Sequence, residues 1–228
     1  MLINRLVPRR TAPSSSRGGF TLVELLVVIG IIAILAGVAL GPITNGIKKA
    51  QQSGGMQTAR TLALSEFQYS NDNNQVYPSG ADAGKIASAL ISGGYISDTG
   101  MFYISGSPNE TKYTGNATTA QTSFPVANCS WDFGEINATT GMNANAPDQT
   151  PLVMSSGVGD TVGPALTAPG IITGTATATM PFGTGGFAIC YKSNSAKFIV
   201  QSPVAGATAQ IEDASWPGFT MIFAQGNK

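Results

Sequence analysis

The chain has 228 residues, of which 12 are basic, 12 are acidic, two are cysteine and none is histidine. The lack of histidine excludes Ser-His-acid and Cys-His catalytic sites and removes the commonest protein ligand of transition metals. We therefore expect a protein that is not an enzyme and that holds no cofactor and no metal ion.

The first part of the chain joins a basic leader to a long apolar segment. Residues 1–19 contain four arginines and no acid, and the 19 residues 25–43 contain no charged side chain. At about 1.5 Å per residue this apolar segment is roughly 29 Å long as a helix, which matches the ~30 Å hydrocarbon core of a bilayer. Because the positive charges precede the segment, the N-terminus is expected to stay in the cytoplasm while the rest is exported.

A single acid, Glu24, lies at the start of the apolar segment. A carboxylate within a membrane helix costs roughly 2.5 to 3.5 kcal/mol on insertion scales, so such residues are usually paired and functional. The positive end of the helix dipole stabilises a charge at this place by only about 0.3 to 1 kcal/mol. Glu24 therefore needs a further partner, which makes it the first candidate functional residue.

Residues 19–24 read Gly-Phe-Thr-Leu-Val-Glu and resemble the signal of type IV prepilins, which the pseudopilins of type II secretion also use. The resemblance implies that an inner-membrane aspartyl peptidase, the prepilin peptidase, cleaves between Gly19 and Phe20 and N-methylates Phe20. The new amine of Phe20 is then a cation that Glu24 of an adjacent subunit can meet as helices stagger along a filament. The assembly residues implied are Phe20, Leu22, Val23 and Glu24.

Two other interpretations of this segment remain open at the level of sequence. An ordinary secretory signal has an apolar core of about 7 to 15 residues followed by a small-residue cleavage site. This apolar segment is longer, and its glycine precedes it. An uncleaved single-pass anchor with an incidental acid is the other possibility. Residues 19–24 favour the prepilin signal over both.

Removal of the leader changes the charge of the chain. It leaves 8 basic against 12 acidic residues, a formal net charge of −4. An acidic excess gives no basic surface for nucleic acid, so we expect no nucleic-acid partner. The partners that the resemblance implies are the prepilin peptidase, like or related pilin subunits, an inner-membrane assembly platform and the membrane.

The segment after the cleavage site is predicted to form one long helix with an inner and an outer half. The inner half, residues 20–43, is apolar all round, as expected of a transmembrane or filament-core segment. Gly41 and Pro42 lie near its end. Proline removes a backbone donor and clashes with the preceding turn, so a kink or local unwinding is predicted there.

The outer half, residues 44–70, is amphipathic and is predicted to pack against a sheet. Residues 53–55 read Ser-Gly-Gly and predict a second bend, because each glycine costs about 1 kcal/mol relative to alanine within a helix. The apolar stripe expected to face the sheet consists of Met56, Ala59, Ala63 and Phe67.

The head, residues 71–228, is rich in Gly, Ser, Thr and Asn with short β-forming runs. A helix is predicted over residues 82–91, with Asp82 as its N-cap and Gly93 after its end. A hairpin is predicted over residues 191–198, and the tract 157–184 is predicted to be a surface loop. Strands are predicted at residues 101–104, 130–136, 152–154, 186–192, 196–201 and 220–224.

These elements predict an α+β fold of the pilin type. The outer half of the long helix packs on a small antiparallel sheet, which buries one face on the helix and exposes the other. Cys129 and Cys190 lie in strand-like surroundings. An oxidising exterior would allow a disulfide between them, worth about 4 kcal/mol, and the alternative is two buried free thiols.

The predicted function is that of a structural subunit of a type IV pilus or of a type II secretion pseudopilus. It would first be a single-pass inner-membrane protein with a periplasmic head, and later part of a filament. The alternative is a membrane-anchored extracytoplasmic binding module, for example for carbohydrate, or a hydrolase that uses a prepilin-type export signal. Aromatic residues that could line a carbohydrate cleft are Tyr103, Tyr113, Trp131, Tyr191 and Trp216. The acids of the head show no spacing that singles out a catalytic or calcium-binding pair, and they include Asp132, Glu135, Asp148, Asp160, Glu212 and Asp213.

Overall fold

The computed structural model describes residues 19–135, 139–143, 145–157, 173–174, 180–200, 209–210 and 222–224. The chain divides into two compact units, Met1–Gly46 and Ile47–Lys228. The first unit contains the predicted leader and the inner half of the long helix. The second contains almost all of the outer half together with the head.

The long helix, α1, spans Leu22–Asp72 and confirms the predicted element to within three residues at each end. Pro42 lies inside the helix, and the backbone at Gly41 is helical as well. The hydroxyl of Thr44 donates a hydrogen bond to the carbonyl oxygen of Gly41 at 2.9 Å. The chain is therefore not unwound at this position, and the kink stays a prediction.

The outer half of α1 buries a face that differs from the predicted stripe. Ala59 and Ala63 are buried as predicted, but Met56 is only half-buried and Phe67 is 45% exposed. At 3.6 residues per turn, steps of four rotate by about 40° each, so a stripe at this spacing has left the buried face by Phe67. The residues that form the buried face are Gly55, Ala59, Leu62, Ala63, Ser65, Glu66 and Ser70.

Gly55 is a close-packing position within the helix. Residues 53–55 are helical, and a Cβ added at Gly55 would overlap the ring of Phe182. At the neighbouring Gly54 a Cβ would meet no atom within 4 Å. The two adjacent glycines therefore have different physical roles, although the sequence predicted a weak point at both.

This difference predicts opposite effects of one substitution at two adjacent positions. Gly54→Ala should raise the free energy of unfolding by about 1 kcal/mol through helix propensity alone. Gly55→Ala should lower it by about 1 to 3 kcal/mol, because Phe182 must move. Thermal unfolding of the full chain in detergent, followed by circular dichroism, measures both. Equal stabilisation by the two variants would contradict the close packing of Phe182 on Gly55.

The head begins with a second helix, α2, at Ala83–Ser92. The carboxylate of Asp82 accepts a hydrogen bond from the backbone N–H of Lys85 at 3.0 Å, and the N–H of Gly93 donates to the carbonyl of Ala89. The predicted helix, its N-cap and its terminating glycine are thus confirmed. The described residues also form a short helix α3 at Ala117–Thr122 and 3-10 turns at Thr99–Phe102, Val126–Asn128 and Gly183–Gly185.

The prediction of a strand at residues 101–104 is wrong. This part of the chain forms the turn Thr99–Phe102, which starts where the carboxylate of Asp98 accepts a hydrogen bond from the N–H of Gly100 at 2.8 Å. Side chains of Asp offer the backbone such local hydrogen bonds in competition with strand pairing. The apolar residues of the turn are used to pack on the sheet instead, where the rings of Phe102 and Phe133 have centroids 6.5 Å apart.

A five-stranded antiparallel sheet forms the centre of the head. The strands of the described residues are β1 Trp131–Glu135, β2 Pro151–Ser155, β3 Thr173–Gly174, β4 Gly186–Tyr191, β5 Ala196–Val200, β6 Ala209–Gln210 and β7 Ile222–Ala224. The order in the sheet is β5-β4-β2-β1-β7.

The predicted hairpin and the predicted loop of the head have different outcomes. The hairpin β4–β5 has the predicted Ser-Asn-Ser turn, with Asn194 at a φ of 58°. The predicted loop 157–184 lies mostly outside the described residues, although β3 falls within it and pairs with β6.

One hydrophobic core joins the sheet to the outer half of α1 and to α2. Leu62 of α1, Leu90 of α2 and Phe133 of β1 belong to the same buried cluster. This arrangement confirms the predicted α+β, pilin-like fold. The prediction that one face of the sheet is exposed is wrong, because every residue of β1, β2 and β4 is buried.

The predicted disulfide is absent, since Cys129 and Cys190 are both free and buried. Cys129 lies two residues before β1, and Cys190 of β4 pairs with Val153 of β2. The strand β2 therefore lies between the two cysteines, and two strand spacings of about 4.8 Å exceed the roughly 4.4 to 6.8 Å between Cα atoms that a disulfide requires. Burial raises the pKa of the Cys190 thiol to about 12 and raises that of Cys129 as well. Both act as small apolar side chains.

Candidate processing and assembly site

The predicted cleavage site lies two residues before α1, which begins at Leu22. Gly19 and Phe20 are exposed and not helical, and the side chain of Phe20 is 83% exposed. A Cβ added at Gly19 would meet no atom within 4 Å. The peptide bond between these residues thus joins two exposed, non-helical positions, a placement typical of sites that peptidases can reach.

Glu24 and Thr21 cap the start of α1 together. One carboxylate oxygen of Glu24 accepts hydrogen bonds from the backbone N–H of Thr21 at 2.9 Å and from its hydroxyl at 2.8 Å. The N–H of Glu24 donates in return to the hydroxyl of Thr21 at 3.2 Å. This reciprocal pattern is a capping box, which satisfies backbone donors that have no partner inside the helix.

The capping box was missed by our reading of the sequence, although its signal is present. Thr21 and Glu24 have the Ser/Thr-x-x-Glu spacing, and an apolar run follows them. Glu24 therefore combines two properties, a hydrogen-bonding cap and a negative charge, which different substitutions can separate.

The part of α1 in the first unit presents apolar side chains to every side. Leu22 and Val23 are 86% and 71% exposed, and every residue from 22 to 46 is exposed. Within the described part of the chain, α1 is the one helix long and apolar enough to cross a bilayer. An apolar surface of this size indicates contact with lipid or with other protein surfaces.

The aromatic residues that could line a carbohydrate cleft are mostly in the core. Tyr113, Trp131 and Tyr191 are buried, and the indole N–H of Trp131 donates to the carbonyl of Met101 at 3.1 Å. Tyr103 is half-buried, and Trp216 lies outside the described residues. The structure thus does not bring these rings to one open surface within the part that it describes.

The acids of the head are also dispersed. Asp132 and Glu135 are buried, and the carboxylate of Glu135 accepts a hydrogen bond from the N–H of Gly80 at 2.8 Å. Asp148 is exposed and forms an ion pair with Lys192 at 3.2 Å. Asp160, Glu212 and Asp213 lie outside the described residues.

A family model described as the prokaryotic N-terminal methylation motif matches residues 14–40. The chain carries a type IV prepilin signal. The match includes the predicted cleavage junction, the capping box and the inner half of α1 up to residue 40. No curated protein and no solved structure matches the chain.

The prepilin signal supports a type IV pilin-like, exported and membrane-anchored protein. It implies processing by the prepilin peptidase and association with pilin-like subunits. It also favours a structural role over an enzymatic one.

Proposed function

We propose that this chain is a structural subunit of a type IV pilus or of a type II secretion pseudopilus. The observation that carries the proposal is the prepilin signal at residues 14–40, together with a helix whose inner half exposes apolar side chains in every direction. A helix that is apolar all round requires a bilayer or neighbouring helices. A filament subunit has the bilayer around this helix before assembly and neighbouring helices around it after assembly.

Maturation removes the leader, residues 1–19, by cleavage between Gly19 and Phe20. The prepilin peptidase then methylates the new amine of Phe20. The protein crosses the inner membrane once, with its N-terminus in the cytoplasm and its head, residues 71–228, in the periplasm. Residues 20–43 serve as the transmembrane segment and later as the filament core, and residues 44–70 support the head.

Assembly depends on the charge of Glu24 and on the apolar side chains beside it. The capping box holds the carboxylate at the first turn of α1, where it accepts hydrogen bonds from Thr21, the residue next to the new N-terminus at Phe20. The amine of Phe20 in a neighbouring subunit neutralises this carboxylate and fixes the stagger between helices, since a buried charge without a partner is strongly unfavourable. Leu22 and Val23 supply packing, and an inner-membrane assembly platform extracts the subunits from the bilayer.

Electron microscopy with an antibody against the head tests the proposal. We expect labelled filaments in material sheared from cells that overproduce the chain, or on isolated envelopes of those cells. Cells that lack the gene are the control for the antibody. Recovery of the chain only as a dispersed membrane protein, without filaments under any level of production, would contradict a structural role and favour an anchored binding module.

A further inference from the structure

A second acid of α1, Glu66, lies in the interface between the outer half of the helix and the sheet. The residue is only 1% exposed, and neither carboxylate oxygen has a hydrogen-bond partner among the described residues. Leu62 and Ala63, one turn earlier on the same face, belong to the hydrophobic core. A charged carboxylate in such a place would be without solvation, so Glu66 must be neutralised in the folded protein.

The groups that face Glu66 from the packed elements favour neutralisation by a proton. Glu135 of β1 repels a charge on Glu66, and a charged Glu66 would in turn disfavour ionisation of Tyr77 and of Cys190 in β4. Tyr77 is itself 1% exposed, and burial raises the pKa of its hydroxyl to about 12. Two further charged groups interact electrostatically with this cluster. The charge of Asp148 raises the pKa of Tyr77, and the exposed Arg60 of α1 lowers the pKa of Cys190.

Glu135 and Glu66 are not equivalent members of this pair. One carboxylate oxygen of Glu135 accepts a hydrogen bond from the N–H of Gly80 at 2.8 Å, which stabilises its charged form. Glu66 has no such donor within the described residues. When the two acids share one negative charge, that charge therefore resides on Glu135 and the proton on Glu66.

We propose that Glu66 is a neutral acid which acts as a pH-sensitive latch between α1 and the sheet. While Glu66 keeps its proton, the outer half of α1 packs on the sheet like any apolar face. Loss of the proton adds a second negative charge to that of Glu135, and among the described residues no lysine or arginine forms an ion pair with either acid, so the packing of α1 on the sheet is weakened. The head is thus held most firmly at acidic pH and loosens as the pH rises.

The electrostatics give the direction and the window of this effect. Burial and the charge of Glu135 raise the pKa of Glu66 well above its ordinary value of 4.5. Burial also raises the pKa of Glu135 to about 7. Since the pKa of Glu66 is higher in the folded than in the unfolded state, its stabilisation is complete below about 4.5 and is lost as the pH rises through the folded-state value.

Thermal unfolding of the full chain in detergent between pH 5 and pH 9 tests the latch. Each pH unit within the window should lower the melting temperature by roughly 3 to 5 °C for each carboxyl that keeps its proton only in the folded state. Glu66→Gln should remove one such contribution and leave a shallower pH dependence. Asp72→Asn, at an exposed acid of the same helix, is the matched control and should retain the full slope.

The outcomes separate a proton from other causes. An unchanged slope in Glu66→Gln overturns the proposal. If the amide prevents folding, Glu66→Leu replaces it, and this variant should fold with a higher melting temperature than the wild type at pH 9. Lower stability of Glu66→Leu at every pH also overturns it. Addition of millimolar Ca²⁺ or Mg²⁺ should leave the wild-type melting temperature unchanged, and a rise that depends on Glu66 would show neutralisation by a cation instead.

Discussion

Gly19→Val is expected to abolish removal of residues 1–19. In the proposed maturation the peptidase cuts directly after Gly19, and valine would add a β-branched side chain that restricts the backbone at the scissile bond. The substitution should not disturb folding, because a Cβ at Gly19 meets no atom of the described residues within 4 Å. Intact mass spectrometry should find the wild type without its first 19 residues and with one added methyl group, and the variant at its full length.

Gly30→Val is the matched control for this experiment. It makes the same change in α1, also at a position where a Cβ would meet no atom within 4 Å, but eleven residues beyond the cleavage site. We expect this variant to be processed as the wild type is. Normal cleavage of Gly19→Val, or a native product that begins at Met1 or beyond residue 43, would remove the basis of the proposed assembly.

Removal of the charge of Glu24 is expected to reduce filament yield by at least tenfold. The loss of one partner from a buried ion pair typically costs 3 to 5 kcal/mol, and each ~1.4 kcal/mol changes an equilibrium constant tenfold. Glu24→Gln is the sharper variant, because a glutamine can retain the capping box with Thr21 while it carries no charge. Glu24→Ala removes both the charge and the cap, and should assemble no better than Glu24→Gln.

Thr21→Ala separates the cap from the charge in the opposite sense. It should weaken the first turn of α1 by about 0.5 to 2 kcal/mol and leave the carboxylate in place, so filament yield should fall less than in Glu24→Gln. Quantified immunogold labelling of sheared filaments, normalised to the amount of processed chain in the membrane, compares the variants. Wild-type yield from Glu24→Gln would show that Glu24 acts as a cap rather than as a charge.

The elements that the sequence predicted correctly are those defined by neighbouring residues. The apolar run of α1, the Asp82 cap and Gly93 end of α2, and the polar turn of the β4–β5 hairpin each use interactions within a few residues. Such local interactions do not depend on how the rest of the chain folds. The capping box of Thr21 and Glu24 is also a local signal, and the spacing of these two residues in the sequence is sufficient to predict it.

The errors concern residues whose partners are distant in the chain. Phe67 was predicted to lie in the core, but it is 45% exposed, because the rotation of the helix about its axis turns this side chain away from the buried face. A disulfide was predicted between Cys129 and Cys190, but the strand β2 lies between them. Strand order and helix rotation are collective properties, so no local pattern in the sequence could have given either.

The sequence by itself determined the export signal, the membrane-length helix and the α+β class, because charge, hydropathy and capping act over short distances along the chain. Only the tertiary structure decided that Gly55 lies against Phe182, and that Glu66 is buried within the electrostatic influence of Glu135 and has no hydrogen-bond partner among the described residues. These two positions derive their properties from residues of the head far away in the chain. The space available at Gly55 and the solvation of Glu66 are set by the surface that packs on the helix, so the sequence of the helix alone does not determine them.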